Sequence, residues 1–178
     1  MSVIFHLTRK GYMETKYFAK KRLMFIQDED YNYLVYNTLI ILYALKCTDK
    51  SKAFNDFRKI AYLIDFVNVN INDNSLTEAD YANIYSKAQL KKQLIYHIIL
   101  ILKNNELIDV DVNTTHQSLN IWLKLENISN TFFENPIFEN EIQNVNDLNK
   151  NISLLRTTTI KRLSDILFTK HNVLTWEI

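Results

Sequence analysis

A single glycine, Gly11, in 178 residues constrains this chain more than any other feature. Glycine takes positive φ without steric cost and lets backbone approach a ligand closely. Loops that cradle phosphates need several glycines in a short span, so phosphate-loop and dinucleotide-binding folds are excluded. Asn, Ile and Lys are abundant, which fits biased base composition better than a function.

The chain is 47% hydrophobic. A chain of this length buries roughly 70% of its unfolded surface, enough for a self-sufficient core. Lys and Arg number 21 against 20 Asp and Glu, a net charge of +1. That balance points to no strong nucleic-acid or acidic partner for the whole chain, leaving local clusters to be judged one by one. Cys47 is the only cysteine. No disulfide can form within the chain, which fits a reducing compartment. The start, MSVIFHLTRKGY, is apolar for too few residues to read as a signal peptide. The longest apolar run, LIYHIILIL at 94–102, is too short to span a bilayer and carries His97. The expectation is a soluble, cytoplasmic protein.

Hydrophobic periodicity orders the rest. Residues 31–47 place Leu34, Thr38, Ile41, Leu42 and Leu45 on one helical stripe, with Asp28 and Asp30 as caps. Residues 53–67 repeat it with Phe54, Phe57, Ile60, Ala61 and Ile64. VNVNI at 67–71 alternates like a short strand. SLTE at 75–78 and SKAQ at 86–89 are both capping boxes. They predict a short helix near 77–85, a tight turn, and a longer helix to about Lys103 with Leu90, Leu94, Ile98, Ile101 and Leu102 as its apolar face. Two alternating runs follow. Ile108, Val110 and Val112 face away from Asp109 and Asp111. Leu119, Ile121, Leu123 and Leu125 face away from Asn120, Trp122, Lys124 and Glu126. This is a hairpin with one dry and one wet face.

The layout is mainly α with a small β-hairpin, an α+β class. It predicts a winged helix-turn-helix with its third helix at 87–103 and its wing at 107–126, preceded by an added N-terminal helix. Asn135-Pro136 then opens a helix carrying Phe138, Ile142, Val145, Leu148 and Ile152. Residues 153–168 make another stripe with Leu155, Thr159, Leu163, Ile166 and Leu167. The domain reading is a winged-helix domain with its N-terminal extension over 1–127 and a C-terminal helical extension over 128–178.

Candidate chemistry is sparse. Asp109 and Asp111, two apart on a strand, aim both carboxylates one way, as a hard cation would need. Metal-dependent nucleases often add an acid-x-Lys on the next strand. Lys124 is present, but Trp122 stands where the acid belongs, and polar alternation on a solvent face explains the pair more simply. His6, His97, His116, His171 and Cys47 show no zinc-ligand spacing. His97 reads as a satisfied polar group on the apolar side of its helix. Cys47 closes a helix, far from the cationic setting that activates a thiol, and reads as a buried structural group. No catalytic residue, metal or cofactor is expected.

Binding surfaces are better represented. Arg9, Lys10, Lys16, Lys20, Lys21 and Arg22 cluster with only Glu14 opposing. Lys91 and Lys92 begin the helix that would read a major groove. These eight are the candidate nucleic-acid contacts. Asp109, Asp111 and Glu126 on the wing oppose phosphate. The third helix is also aliphatic over most of its length, with little polar beyond Lys91, Lys92, Gln93 and Tyr96. Trp122 on a wet face, Tyr96 and Trp176 are the candidate protein contacts, since large exposed aromatics favour a partner.

An N-terminal helix, the segment KIAYLIDFV at 59–67, a helix-turn-helix, a hairpin and a closing amphipathic helix resemble, in layout and length, the middle components of bacterial ABC-three-component systems. These include the small accessory subunit of Lamassu-type anti-phage systems. The sharpest fragment is YLIDF, Tyr62 to Phe66. The resemblance implies a non-enzymatic adaptor that docks on an SMC/Rad50-like ATPase and links it to an effector such as a nuclease. Two other readings stay open: a stand-alone winged-helix DNA-binding regulator or plasmid-replication factor, and a small nuclease using Asp109 and Asp111.

Overall fold

The computed structural model describes residues 31–69 and 76–176. Gly11 and the basic cluster from Arg9 to Arg22 lie outside the described residues, as do Asp28 and Asp30. The fold is mainly helical with one two-stranded antiparallel sheet. In chain order it has α1 (Tyr31–Ala44), α2 (Ile60–Val67), α3 (Glu78–Asn104), β1 (Ile108–Asn113), β2 (Ser118–Leu123), α4 (Asn130–Phe133), α5 (Glu139–Asn151) and α6 (Ile160–Leu167). Short 3₁₀ turns precede α2 and α5 and follow β2 and α6.

With no glycine among the described residues, the turns use other residues at positive φ. Lys46 (φ 55), Glu106 (φ 57) and Asn172 (φ 62) each occupy the position where glycine usually ends a helix. The hydrogen bonds are those of that motif. After α1, Cys47 donates its N–H to the Leu42 carbonyl and Lys46 donates to Tyr43. After α3, Leu107 donates to Leu102 and Glu106 to Lys103. The paired bonds satisfy carbonyls that a helix end leaves open, and hold a side chain where its Cβ is disfavoured.

The largest departure from the sequence reading is α3. It runs unbroken for 27 residues where a helix, a tight turn and a second helix were expected. Thr77, not Ser75, caps it, accepting from the Asp80 N–H while Asp80 closes the box onto Thr77. Ser86 lies exposed inside the helix. The buried set Tyr81, Ile84, Tyr85, Ala88, Ile95, Ile98, Ile99 and Leu102 keeps one stripe across the supposed break. That shared stripe packs on α1 and α2, and a local capping motif does not override it. The buried face is also turned relative to expectation: Leu90 and Ile101 point outward, 77% and 40% exposed.

The strand expected at 67–71 is not a strand where it is described, because Val67 ends α2 and Asn68 turns the chain. A strand-like contact occurs earlier. Phe54 exchanges both backbone hydrogen bonds with Ile121, at 2.8 and 3.1 Å. Leu123 donates to the Cys47 carbonyl at 2.8 Å. The helix expected over 53–67 therefore starts late, its first residues closing the free edge of β2. The hairpin forms as expected, with Ile108 opposite Leu123, Asp109 opposite Trp122 and Asp111 opposite Asn120, but Val112, expected on its dry face, is 68% exposed near the turn.

One hydrophobic cluster spans the chain from Leu34 to Val173. Phe168 sits at its centre, fully buried, its ring 5.1 Å from Tyr85, 5.7 Å from Tyr62 and 6.0 Å from Phe66. Val145, Leu148, Ile152, Leu155 and Leu163 are buried in the same cluster, so residues beyond 128 cover the core instead of leaving it to a partner. The helix expected over 153–168 is shorter. Thr159 caps it through the Arg162 N–H, and Leu154 turns the chain at φ 63. Among the described residues no helix is long and apolar enough to cross a membrane.

Candidate functional site

The residues singled out in the sequence do not converge. Lys91, expected to face a phosphate, is only 3% exposed. Its ammonium lies 2.7 Å from Asp65 of α2. The long helix buries that position, so the lysine must carry a counter-charge inward. Asp65 belongs to YLIDF, whose Tyr62, Leu63, Ile64 and Phe66 are all buried. The fragment thus builds core, and its one charge holds α2 to α3.

Asp109 and Asp111 are each matched to a separate lysine. Asp109 pairs with Lys103 at the end of α3, and that bond holds its carboxyl below the usual range. Asp111 pairs with Lys50 at 2.9 Å. Among the described residues no three His, Cys, Asp or Glu side chains gather where a metal ion would sit. Trp122 is not an open aromatic on a wet face. It is half-buried and packed against the core. Trp176 is 63% exposed but tethered. Its backbone N–H donates to the Tyr85 hydroxyl at 2.8 Å, and its indole meets the Tyr85 ring edge-on at 5.0 Å.

Tyr96 and Lys92 are brought together. With Phe57, Arg58, Gln93 and His97 they line an open cleft of about 310 Å³ between the start of α2 and the outward side of α3. Tyr96 is 48% exposed and its ring lies 6.1 Å from Phe57. His97, expected on the apolar side of its helix, is exposed. The Lys92 ammonium sits 5.0 Å over the Tyr62 ring.

A polar network beneath the cleft fixes its floor. Asp56, 3% exposed and at φ 62, accepts from Arg58 Nε and Nη2 at 2.8 Å each and from Ser118 Oγ at 2.7 Å. Burial pushes this carboxyl up, and the Arg58 and Ser118 hydrogen bonds with the guanidinium charge more than offset that, leaving it below its usual value. Arg58 Nη2 also donates to the His116 carbonyl at 3.1 Å. The guanidinium is thereby locked between the hairpin turn and the 3₁₀ turn Phe57–Lys59.

Sequence reading missed Lys59 entirely. It is fully buried and donates to three carbonyls, Leu155 at 3.1 Å, Arg156 at 2.9 Å and Thr158 at 2.9 Å. Its ammonium also lies 4.3 Å over the Phe54 ring. Burial drives it down to about 7, with Asp56 and Cys47 opposing. The signal was partial: Ile60, Tyr62, Leu63 and Phe66 follow Lys59, but Arg58 beside it and Asn55 and Asp56 one turn earlier make the position look like the polar edge of a helix. Cys47 is buried as expected, and burial pushes its thiol up to about 12 despite nearby Arg156 and Lys59.

From Tyr81 to Asn105 the sequence contains no Asp or Glu. The outward side of α3 accordingly presents Leu90, Gln93, Tyr96, His97, Leu100 and Ile101. Such a surface suits contact with another macromolecule more than chemistry on a small substrate. No protein-family profile, no curated protein and no solved structure matches this chain.

Proposed function

We propose that this protein is a non-enzymatic, cytoplasmic adaptor subunit that docks on a larger protein through the outward side of α3 and the Tyr96 cleft. One observation carries the reading. The longest helix among the described residues leaves Leu90, Tyr96, Leu100 and Ile101 exposed, has no Asp or Glu from Tyr81 to Asn105, and pairs Lys91 and Lys103 with Asp65 and Asp109. A helix meant for a row of phosphates would keep its lysines outward.

The core is read as a winged helix, in a different register from the sequence expectation. The order α1, a short strand at Phe54, α2, α3 and hairpin supports it, with Phe54 as the strand that adds to the wing. On this reading α1 is the first helix of the winged core rather than an addition to it. The partner class is the one the layout resemblance implies: an SMC/Rad50-like ATPase working with an effector such as a nuclease, in a bacterial defence or DNA-maintenance complex.

The test is co-purification of the tagged chain at native expression. A stoichiometric complex with an SMC/Rad50-like ATPase, lost on Tyr96→Ala, is expected. A monodisperse monomer without a partner overturns the reading. A second reading, a stand-alone DNA-binding regulator or replication factor, is favoured by the winged-type element order and by Arg58, Lys92 and His97 in the lining of the cleft. It requires tight duplex binding that weakens steeply with salt and is lost on Lys92→Glu.

A further inference from the structure

Lys59 closes the core beneath the turn that joins α5 to α6, residues 152–159. Its buried ammonium donates to three carbonyls of that turn, those of Leu155, Arg156 and Thr158. The turn itself lies at the surface. Ser153, Leu154 and Thr157 are exposed, and Leu154 stands at φ 63. The Asn55 N–H adds a second staple, donating to the Arg156 carbonyl at 3.0 Å. The Thr158 hydroxyl is buried with no hydrogen-bond partner. Lifting the turn would therefore wet two polar groups that the closed form keeps dry.

The charges around this lysine do not neutralise it. Asp56 acts on it from its own segment but accepts from Arg58 and Ser118. Cys47 acts on it from the end of α1 as a buried thiol. Arg156 on the turn and Lys59 both act on that thiol, so two positive charges share this corner. Asp65 of α2 is paired with Lys91. β2 carries no charged residue, α3 has no acid after Asp80, and Lys161, Arg162 and Asp165 of α6 are exposed. Hydrogen-bond supply favours the neutral amine, which keeps two N–H donors. The Leu155 and Thr158 carbonyls take one each, and the Arg156 carbonyl already has the Asn55 N–H. The charged form adds one redundant bond and a charge kept from water. Burial accordingly lowers the group to about 7, and water reaching it through an open turn restores the ordinary 10.5.

We propose that the 152–159 turn is a pH-linked flap: proton uptake by Lys59 lifts it from the core, and proton release seals it over the three-carbonyl cage. The sign follows from proton binding. The open form holds the proton more tightly, so opening grows as pH falls from 10.5 toward 7 and levels off below that. The flap is independent of the docking reading, and neither depends on the other.

The experiment is amide hydrogen exchange of the full chain at pH 6, 7, 8 and 9, corrected for the intrinsic rate at each pH. The Asn55, Thr157 and Thr158 N–H groups report the flap, because each bonds to a carbonyl of the turn. The Ile98 and Ile99 N–H groups, inside α3, report global unfolding. Protection of the flap amides is expected to fall at least about tenfold from pH 9 to pH 7, and less than about threefold from pH 7 to pH 6. Low urea should leave the flap amides unchanged and speed those of α3, since a local opening exposes little surface. In Lys59→Met the flap amides should be flat with pH. Equal protection at pH 7 and pH 9, a pH dependence that survives in Lys59→Met, or flap amides that follow α3 in urea overturns the proposal. The wild type offers a check that needs no variant. With lysine labelled with nitrogen-15 at Nζ, one ammonium should titrate at about 7. A chain in which every lysine titrates above about 9 overturns the flap as well.

Discussion

Replacing Lys59 by methionine keeps most of the buried stem and removes the ammonium. The wild-type group satisfies three carbonyls. The Arg156 carbonyl keeps a partner in the variant, because the Asn55 N–H also donates to it at 3.0 Å. The Leu155 and Thr158 carbonyls each lose a charge-assisted bond. Leaving a buried acceptor unpaired costs about 1–3 kcal/mol. Two such losses, less the recovered cost of burying a charge, give a net destabilisation of about 3 kcal/mol. With a urea slope of about 2 kcal/mol per molar, the midpoint should fall by about 1.5 M. Urea unfolding followed by circular dichroism at pH 7 measures it.

The same residue fixes the sign of a pH effect. The folded chain releases the Lys59 proton near 7, while the unfolded chain holds it to 10.5. Between these values the unfolded state binds more protons, so stability rises with pH, by up to about 1.4 kcal/mol per pH unit. From pH 7 to 9 the wild type should gain about 2 kcal/mol relative to Lys59→Met. A methionine variant within about 0.5 kcal/mol of wild type at pH 7 would refute the carbonyl cage as a stabilising element.

Ser86→Pro should destabilise the fold by about 3 kcal/mol or more, because it sits inside a continuous helix and not at a cap; a tolerated proline in thermal unfolding would restore the two-helix reading. Lys46→Gly and Glu106→Gly should each raise stability by about 0.5–1 kcal/mol by relieving positive φ at helix ends, and a loss in urea melts would contradict those motifs. Native Cys47 should resist alkylation at pH 8 and react fully in urea, since burial holds its thiol protonated; fast labelling of the native chain would show the site open. Asp109→Ala and Asp111→Ala, each removing one partially exposed ion pair, should shift stability by no more than about 1 kcal/mol. Neither should change any magnesium-dependent cleavage, and a cleavage activity lost in both variants would revive the nuclease reading.

The hairpin was legible because a period of two survives where one face meets the core, and Ile108, Ile121 and Leu123 carry it; it fails toward the turn, where Val112 is 68% exposed and Ser118 is buried. The helix opened by Asn135-Pro136 was legible for the corresponding reason at period 3.6, though a 3₁₀ turn takes its first residues, while the helix at Tyr31–Ala44 was found through its stripe although residues 37–42 are buried all round. The break in α3 was read from two local capping boxes, and local signals cannot see that Tyr81, Tyr85, Ala88 and Ile95 share one buried stripe. Trp122 was misplaced because alternation separates the two faces of a strand but does not say what packs over each of them, and Trp122 packs against the core. Lys91 was misassigned for the same kind of reason. Its partner Asp65 lies 26 positions earlier and nothing in the spacing links them. The cleft was half legible, with Tyr96 and Lys92 named for different roles and Arg58 not named at all.

The central claim is that the Tyr96 side of α3 meets another protein. It is tested most directly by placing a photoactivatable phenylalanine analogue at position 96 and irradiating the chain in its native cells. The account expects a protein adduct whose mass analysis gives an SMC/Rad50-like ATPase, and which disappears on Lys92→Glu while a probe at Leu154, 69% exposed on the turn before α6, gives none. An adduct with nucleic acid, or no adduct at position 96, would contradict it.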